Sequence, residues 1–306
     1  MTECERIIKQ GILPAEFFRS ETRNDFYVSE TRKKIWAVEL DMLLKFDRVC
    51  RKHKLKYFLT AGTLLGAVRH RGFIPWDDDI DVGLMREDYE KFLKLSDEFE
   101  APYFIQTPYT DPGYFYSFAK IRNTNTSMLN RTFLFQGFNQ GICIDVFPYD
   151  KVMPEDYIKN YNGIKALLLA NSTYMRLTNP YLENDVRVLN YEGGNPMERY
   201  EKIQETARMH ENEQTEYISL AVSTIYSSEK NFFYAEDFLS LSECDFEYFR
   251  FPIPAGYDRI LRTSYGDYMS FPPVKERGTW HKNSISNPDV PYEKILKKYQ
   301  SESWPE

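Results

Sequence analysis

Between residues 30 and 53 the apolar side chains Trp36, Leu40, Leu43 and Leu44 recur at i, i+4, i+7 and i+8, the single stripe of an amphipathic helix. Ser29 suits the N-cap, because its hydroxyl can accept from a backbone N–H of the first turn. This helix reads as scaffold. The stretch 56–59 is short and apolar, as a buried strand is; 60–63 reads as a turn, and 64–69 as a helix starting there. After Gly72 a loop with Pro75 leads to a second strand over 79–84, where Ile80 and Val82 flank Asp81 in half-buried alternation. Helical spacing returns over 87–99 with Tyr89, Phe92, Leu93 and Leu95. Strands are expected at 103–106, 116–122 and 141–147, and helices over 157–177, 197–220 and 257–269. Asn179-Pro180 and Gly193-Gly194-Asn195-Pro196 place a break over 178–196, and Pro272-Pro273 stops the last helix. Residues 1–27 look irregular. Small strands followed by helices predict an α+β (mixed α/β) fold, with neither repeats nor low-complexity tracts.

A chain of 306 residues can bury a large core as one elaborated domain or two closely packed ones. Its 23 Tyr and 22 Phe either enrich the core and surface in rings, the default reading, or line a pocket that stacks sugars, bases or a quaternary amine. The net charge of −7 leaves no basic footprint, which argues against a nucleic-acid partner. Cys4, Cys50, Cys143 and Cys244 form no CxxC pair, so neither a structural zinc site nor a disulfide framework is signalled and a reducing compartment fits. No apolar run approaches the roughly 20 residues that span a bilayer. Met1-Thr2-Glu3-Cys4-Glu5 lacks the basic and apolar start of a secretory signal. A cytoplasmic location is expected, with peripheral contact at the inner face of a membrane left open.

The chemistry concentrates in Trp76-Asp77-Asp78-Asp79-Ile80-Asp81. On an extended strand, residues spaced by two share a face about 7 Å apart, so Asp77, Asp79 and Asp81 could grip a hard divalent cation. Like charges packed together resist ionisation, and a bound cation removes that cost. The bland alternative is a solvated acidic turn; Ile80 and Val82 favour the metal site by placing the cluster on a core strand. Gly62-Thr63, at the start of a helix, offers backbone N–H groups to a phosphate or is an ordinary turn. Asp145, alone among apolar residues in Gly141–Pro148, must be paired, protonated or metal-bound; a third metal ligand is the favoured reading over a salt bridge. Lys120 and Arg122 alternate on one strand and could neutralise phosphate oxygens, or be solvated strand charges. Arg69, His70 and Arg71 form a basic patch, one member of which balances the carboxylates or a nucleotide phosphate. His281 ranks lower, as a structural histidine.

The run Tyr57-Phe58-Leu59-Thr60-Ala61-Gly62-Thr63-Leu64-Leu65-Gly66-Ala67-Val68-Arg69-His70, continuing through Gly72-Phe73-Ile74-Pro75-Trp76-Asp77-Asp78-Asp79-Ile80-Asp81-Val82, resembles the LicD family, whose eukaryotic relatives include fukutin and fukutin-related protein. Lys120-Ile121-Arg122 with Thr124, and Ile144-Asp145-Val146-Phe147-Pro148, resemble its later blocks; Pro254, Tyr257, Leu261 and Tyr265-Gly266-Asp267 resemble its C-terminal block. The resemblance covers 57–150 and about 250–282, and the first block is long and specific. It implies a nucleotidyltransferase-like small mixed sheet flanked by helices, with magnesium (or manganese) bound by Asp79, Asp81 and Asp145 and with Asp77 close to the reaction. It also implies transfer of a phospho-alcohol from a CDP-alcohol, typically CDP-choline in bacterial members, to a hydroxyl of a teichoic acid, lipopolysaccharide or other surface glycan or its lipid-linked precursor. Fifteen residues separate Thr63 from Asp79, more than in other nucleotidyltransferases but in keeping with the LicD pattern. The expected organisation is a catalytic core over 28–150 and a helical, acceptor-side elaboration over 151–306. Rival readings are a nucleotidyltransferase that releases pyrophosphate, and a non-catalytic glycan-binding protein.

Overall fold

The computed structural model describes residues 1–223, 227–278 and 284–301. The N-terminal segment, expected to be irregular, holds α1 (Glu3–Lys9) and a hairpin of β1 (Glu21–Arg23) and β2 (Phe26–Val28). Thr2 and Glu5 close a capping box on α1: Glu5 N–H donates to Thr2 Oγ1 at 3.2 Å, and Thr2 N–H to Glu5 Oε2 at 2.8 Å. The long α2 (Glu30–His53) starts at its expected cap, with Arg32 N–H donating to Ser29 Oγ, and ends where Lys54 turns left-handed. Trp36, Leu40 and Leu43 are fully buried, but so are Glu39 and Asp41. The helix is enclosed on more than its apolar stripe because the sheet covers one side and the N-terminal segment the other.

Then follow β3 (Tyr57–Leu59), α3 (Ala61–His70), β4 (Asp81–Met85), α4 (Arg86–Phe92), β5 (Tyr103–Gln106), β6 (Ala119–Asn123), β7 (Ser127–Asn130) and β8 (Ile142–Lys151). Further on come α5 (Tyr157–Tyr174), α6 (Val186–Leu189), α7 (Pro196–Ala207), β9 (Tyr217–Ser219), β10 (Phe232–Tyr234), the hairpin β11 (Leu241–Phe246) and β12 (Phe249–Pro254), α8 (Tyr257–Tyr265), β13 (Ser284–Asn287) and α9 (Tyr292–Ser301). This is the α+β fold that the pattern predicts. Several boundaries differ, among them three that bear on the sheet and its loops. The strand expected over 79–84 begins only at Asp81, where the Asp81 N–H donates to Thr63 Oγ1 at 2.8 Å. The helix expected over 87–99 stops at Phe92, short of a 3-10 turn at Ser96–Glu98. The helix expected over 197–220 ends at Ala207, because Tyr217–Ser219 is taken up as a strand against the end of β8.

Among the described residues the central sheet has seven strands, ordered β10-β9-β8-β4-β3, with β6 also on β8 and β5 beyond it. Only β4 and β8 run parallel there; the other pairings are antiparallel. Two of the seven strands come from after residue 151, and one apolar cluster runs from Ile7 through the sheet to Tyr268. Gly83 on β4 lets two rings close over the sheet, since a Cβ there would lie 2.4 Å from Phe58 Cε2 and 2.8 Å from Tyr149 Cε2. Beneath the sheet edge Arg86 grips Asp150 with two hydrogen bonds of 2.6 and 2.8 Å, both side chains buried. Burial pushes Asp150 upward against the Arg86 charge, while Asp150 overrides burial to hold Arg86 above its ordinary range. Among the described residues no helix is long and apolar enough to cross a membrane.

Candidate active site

The carboxylates meet because of strand register. The parallel pairing of β4 with β8 sets Asp81 opposite Asp145, and the antiparallel pairing of β6 with β8 sets Lys120 opposite the same Asp145. Residues opposite one another on adjacent strands point to the same face. Asp81, Asp145 and Lys120 therefore form one row across three strands, and all three line a cavity of ≈ 980 Å³. Ile80 anchors the row: its carbonyl accepts from the Asp145 N–H at 2.8 Å.

Asp77 and Asp79 reach the cavity from the loop before β4 rather than from the strand itself. The expectation of three alternating strand carboxylates is thus corrected. The loop is held by residues that the sequence reading treated as scaffold: the Asp77 carbonyl accepts from Arg32 Nη1 at 2.7 Å and from Trp36 Nε1 at 3.0 Å. Trp36 in turn stacks flat on Phe73, with ring centroids 4.6 Å apart. Glu247, at the turn between β11 and β12, accepts from Phe73 N–H and from Arg23, tying that distant hairpin to the same loop.

Electrostatically the cluster crowds several carboxyl groups that resist ionising together. Burial, followed by the charges of Asp79, Asp145 and Asp77, pushes the Asp81 carboxyl well above the usual carboxylate range; Lys120 pulls the other way. Asp77, although one side opens to the cavity, is also driven well up by burial, then by Asp79 and Asp78. Behind them Glu39 is fully buried, and neither of its carboxyl oxygens meets a hydrogen-bond partner. Burial and the charges of Asp78 and Asp79 push it upward as well. Crowded, desolvated carboxyl groups fit a hard divalent cation, which takes oxygen ligands and cancels their repulsion. Among the described residues no three of them already stand in coordinating geometry, and Asp145 is held by Lys120 in an ion pair. Burial works against the Lys120 ammonium, yet Asp145 and Cys143 together offset it and the net direction is upward.

Gly62 and Thr63 occupy the first turn of α3, whose N-cap Thr60 makes no side-chain cap and instead contacts the Tyr149 hydroxyl. The first N–H groups of an uncapped helix lack intrahelical partners, which suits an anion at the cavity wall. Gly62 has a second reason to be glycine: a Cβ would lie 3.1 Å from Asp77 Oδ2. Thr63 is buried, and its hydroxyl is spent on the Asp81 N–H. Arg122 shares the face of Lys120 but lies two positions along, opposite Cys143; its guanidinium donates to Gln106 Oε1 at 2.8 Å and to the Gly141 carbonyl at 2.6 Å, so it braces the sheet. His70 Nε2 accepts from Arg69 Nε at 2.9 Å, and its other nitrogen faces Asn24 Oδ1. Burial, then Arg69 and Arg23, lower its value to about 4, so it stays neutral. Trp76 is buried against Phe26, His70 and Phe271. His281 lies outside the described residues.

The far walls come from helix α5, in which the sequence showed no motif, and from the C-terminal block that resembles the family's. Helix α5 supplies Lys165, Leu168 and Ser172, while the C-terminal block supplies Tyr265, Tyr268 and Phe271. Periodicity predicts such helices but not which cavity they border.

The profile of the family described as "LicD/FKTN/FKRP, nucleotidyltransferase domain" matches residues 54–168, which take in every carboxylate of the row. Over 253 residues the chain is 31% identical to the lipopolysaccharide cholinephosphotransferase LicD of Haemophilus influenzae, spanning 79% of this chain and 92% of that relative. A stretch of 34 residues is 53% identical to ribitol 5-phosphate transferase FKRP of Homo sapiens, 11% of this chain and 7% of that relative. Similarity over nearly the whole length of the bacterial relative, together with the profile match across the carboxylate-bearing strands, shows that this chain belongs to the LicD family and is a LicD-type phosphotransferase.

Proposed function

We propose that the protein transfers a phospho-alcohol, phosphocholine from CDP-choline in the favoured case, to a hydroxyl of a cell-surface glycan or its lipid-linked precursor, releasing CMP. The observation that carries this reading is the row Asp81–Asp145–Lys120, beside Asp77 and Asp79, on the wall of a cavity with room for a nucleotide and a sugar. The extent of the similarity to a cholinephosphotransferase favours choline as the alcohol. The aromatic faces of Tyr116, Tyr265 and Tyr268 on the cavity wall suit a quaternary amine.

Asp79, Asp81 and Asp145 would hold Mg²⁺ or Mn²⁺, which when bound supplies charge neutralisation to the donor diphosphate. Asp77 is the base of choice, because its carboxyl lines the cavity beside Asp79 and Asp81, whereas Asp145 is engaged by Lys120. The acceptor oxygen bonds to the phosphorus that carries the alcohol, the bridging P–O bond to CMP breaks, and the acceptor's proton passes to Asp77. Lys120, held between Asp145 and the cavity, meets the negative charge that grows on the phosphoryl oxygens. The first N–H groups of α3 steady the phosphate, while Arg32 and Trp36 keep the Asp77 backbone in place.

The test offers the purified protein a panel of CDP-alcohols (choline, glycerol, ribitol, ethanolamine) with magnesium and a glycan acceptor, and identifies the nucleotide released. CMP release that is lost in Asp145→Asn supports the reading. Pyrophosphate release from CTP, offered in parallel with a phospho-alcohol, would replace it with nucleotidyl transfer, and a failure to bind magnesium or any CDP compound with a glycan-binding role.

A further inference from the structure

The carboxylates do not explain a second charged feature of the cleft. Arg69, at the end of α3, and Arg277, after the 3-10 turn Val274–Glu276, bring their guanidinium carbons over the same two rings. Arg69 Cζ lies 5.9 Å from the Trp76 centroid and 5.3 Å from that of Phe271; for Arg277 Cζ the distances are 5.0 and 5.5 Å. Their hydrogen bonds go to neutral acceptors. Arg69 donates to the carbonyls of Tyr268 at 2.7 Å and Ser270 at 3.2 Å and to His70 Nε2; Arg277 donates to the carbonyls of Pro272 and Asn24, each at 3.0 Å.

Among the described residues neither arginine has a carboxylate partner, whereas Arg23, Arg86 and Arg259 each grip one. Glu276 and Asp267 line the same cavity without forming an ion pair with either guanidinium. His70 is neutral and adds no countercharge. Burial pulls Arg69 below its ordinary range, with Tyr265 working against it and the neighbouring Arg277 charge adding to it. Two like charges gathered over shared rings, without an acid, form a site waiting for an anion. The hydrogen bonds named above use only Nε and Nη1, which leaves Nη2 of each arginine to donate to a phosphate oxygen. Arg69, Trp76 and Phe271 line the same cavity as Asp77 and Asp79, and Arg277 stands over the same two rings.

We propose that Arg69 and Arg277, braced by Trp76 and Phe271, form a clamp for a phosphate or diphosphate group beside the cation-binding carboxylates. The proposal rests on the phosphotransferase reading and deepens it: a residue from the C-terminal segment completes the phosphate site. The phosphoanion is the donor's diphosphate or a phosphate of the acceptor, and the two sources are separable by kinetics.

The test uses the full chain with magnesium. Calorimetric titration with inorganic pyrophosphate, CDP and cytidine compares the wild type with Arg277→Gln and Arg277→Lys. Losing charge-assisted hydrogen bonds should weaken pyrophosphate and CDP binding by about tenfold to a hundredfold in Arg277→Gln, with cytidine unaffected. Arg277→Lys, which keeps the charge without the fork, should fall between, and it serves if the Gln variant unfolds early. A rise in the donor KM alone assigns the clamp to the donor, and a rise in the acceptor KM alone to the acceptor. Wild-type affinity for both phosphates together with unchanged KM values in the variants overturns the clamp and leaves the phosphotransferase reading intact. A wild-type protein that binds neither CDP nor pyrophosphate overturns both.

Discussion

Replacing Asp81 by Asn should stabilise the cation-free protein while abolishing transfer. Asp81 sits one strand from Asp145, in the same row, and adjacent strands are about 4.8 Å apart. Two unit charges about 5 Å apart interact by about 3 kcal/mol at an effective dielectric constant of roughly 20 and by under about 1 kcal/mol in bulk water. Lys120 already offsets part of the Asp145 charge, so relieving the repulsion is expected to contribute about 1–2 kcal/mol. At about 2–4 °C per kcal/mol for a chain somewhat smaller than this, the gain is about 2–8 °C in EDTA. The pH dependence has a definite sign. Because the Asp81 carboxyl is raised in the folded state from 3.8, the folded protein binds more protons than the unfolded chain between that value and the raised one. Wild-type stability in EDTA therefore falls as pH rises through that window, and the contribution is fully present only below it. The Asn variant should lose this part of the slope. Thermal unfolding followed by circular dichroism, in EDTA and in magnesium across pH, is the assay, with CMP release measured alongside. If Asp81→Asn unfolds earlier than the wild type in EDTA, and magnesium stabilises both proteins equally, the reasoning is refuted.

Three further perturbations test other parts of the structure. Gly62→Ala puts a methyl group 3.1 Å from Asp77 Oδ2, so kcat should drop by about tenfold or more with the melting temperature nearly unchanged; unaltered kcat would remove Asp77 from the reaction. Arg86→Met strands a buried Asp150 and should cost about 3–5 kcal/mol in urea unfolding, much of it recovered in the double variant Arg86→Met/Asp150→Leu. Glu39→Gln removes a buried ionisable carboxyl behind the cluster, so it should leave stability in EDTA level or higher while weakening the magnesium-induced rise in melting temperature; an unchanged rise would show that Glu39 does not sense the cation.

Local pattern was legible wherever neighbours in sequence supply the physics. The N-cap Ser29, the stripe from Trp36 to Leu44 and the end at His53 all lie within one helix, and α2 follows them. Thr2 and Glu5 carried an equally local capping signal in a stretch read as irregular. The acidic hexamer, Asp145 and Lys120 stand out as residue types with a chemistry, and the long motif around them points to the family without any coordinates. Which of these residues touch is a different matter. Asp81 and Asp145 are far apart in sequence, and only the parallel pairing of β4 with β8 sets them side by side. Period-two alternation puts Lys120 and Arg122 on one face, but register decides that the first meets Asp145 and the second braces Gly141. Tyr217–Ser219 became a strand, and Arg277 came to share two rings with Arg69, through contacts that no window of sequence contains. Composition and periodicity report what each segment can bury and which groups it can offer. Pairing and packing across long loops select among the arrangements that remain, because their free energy depends on all the partners at once.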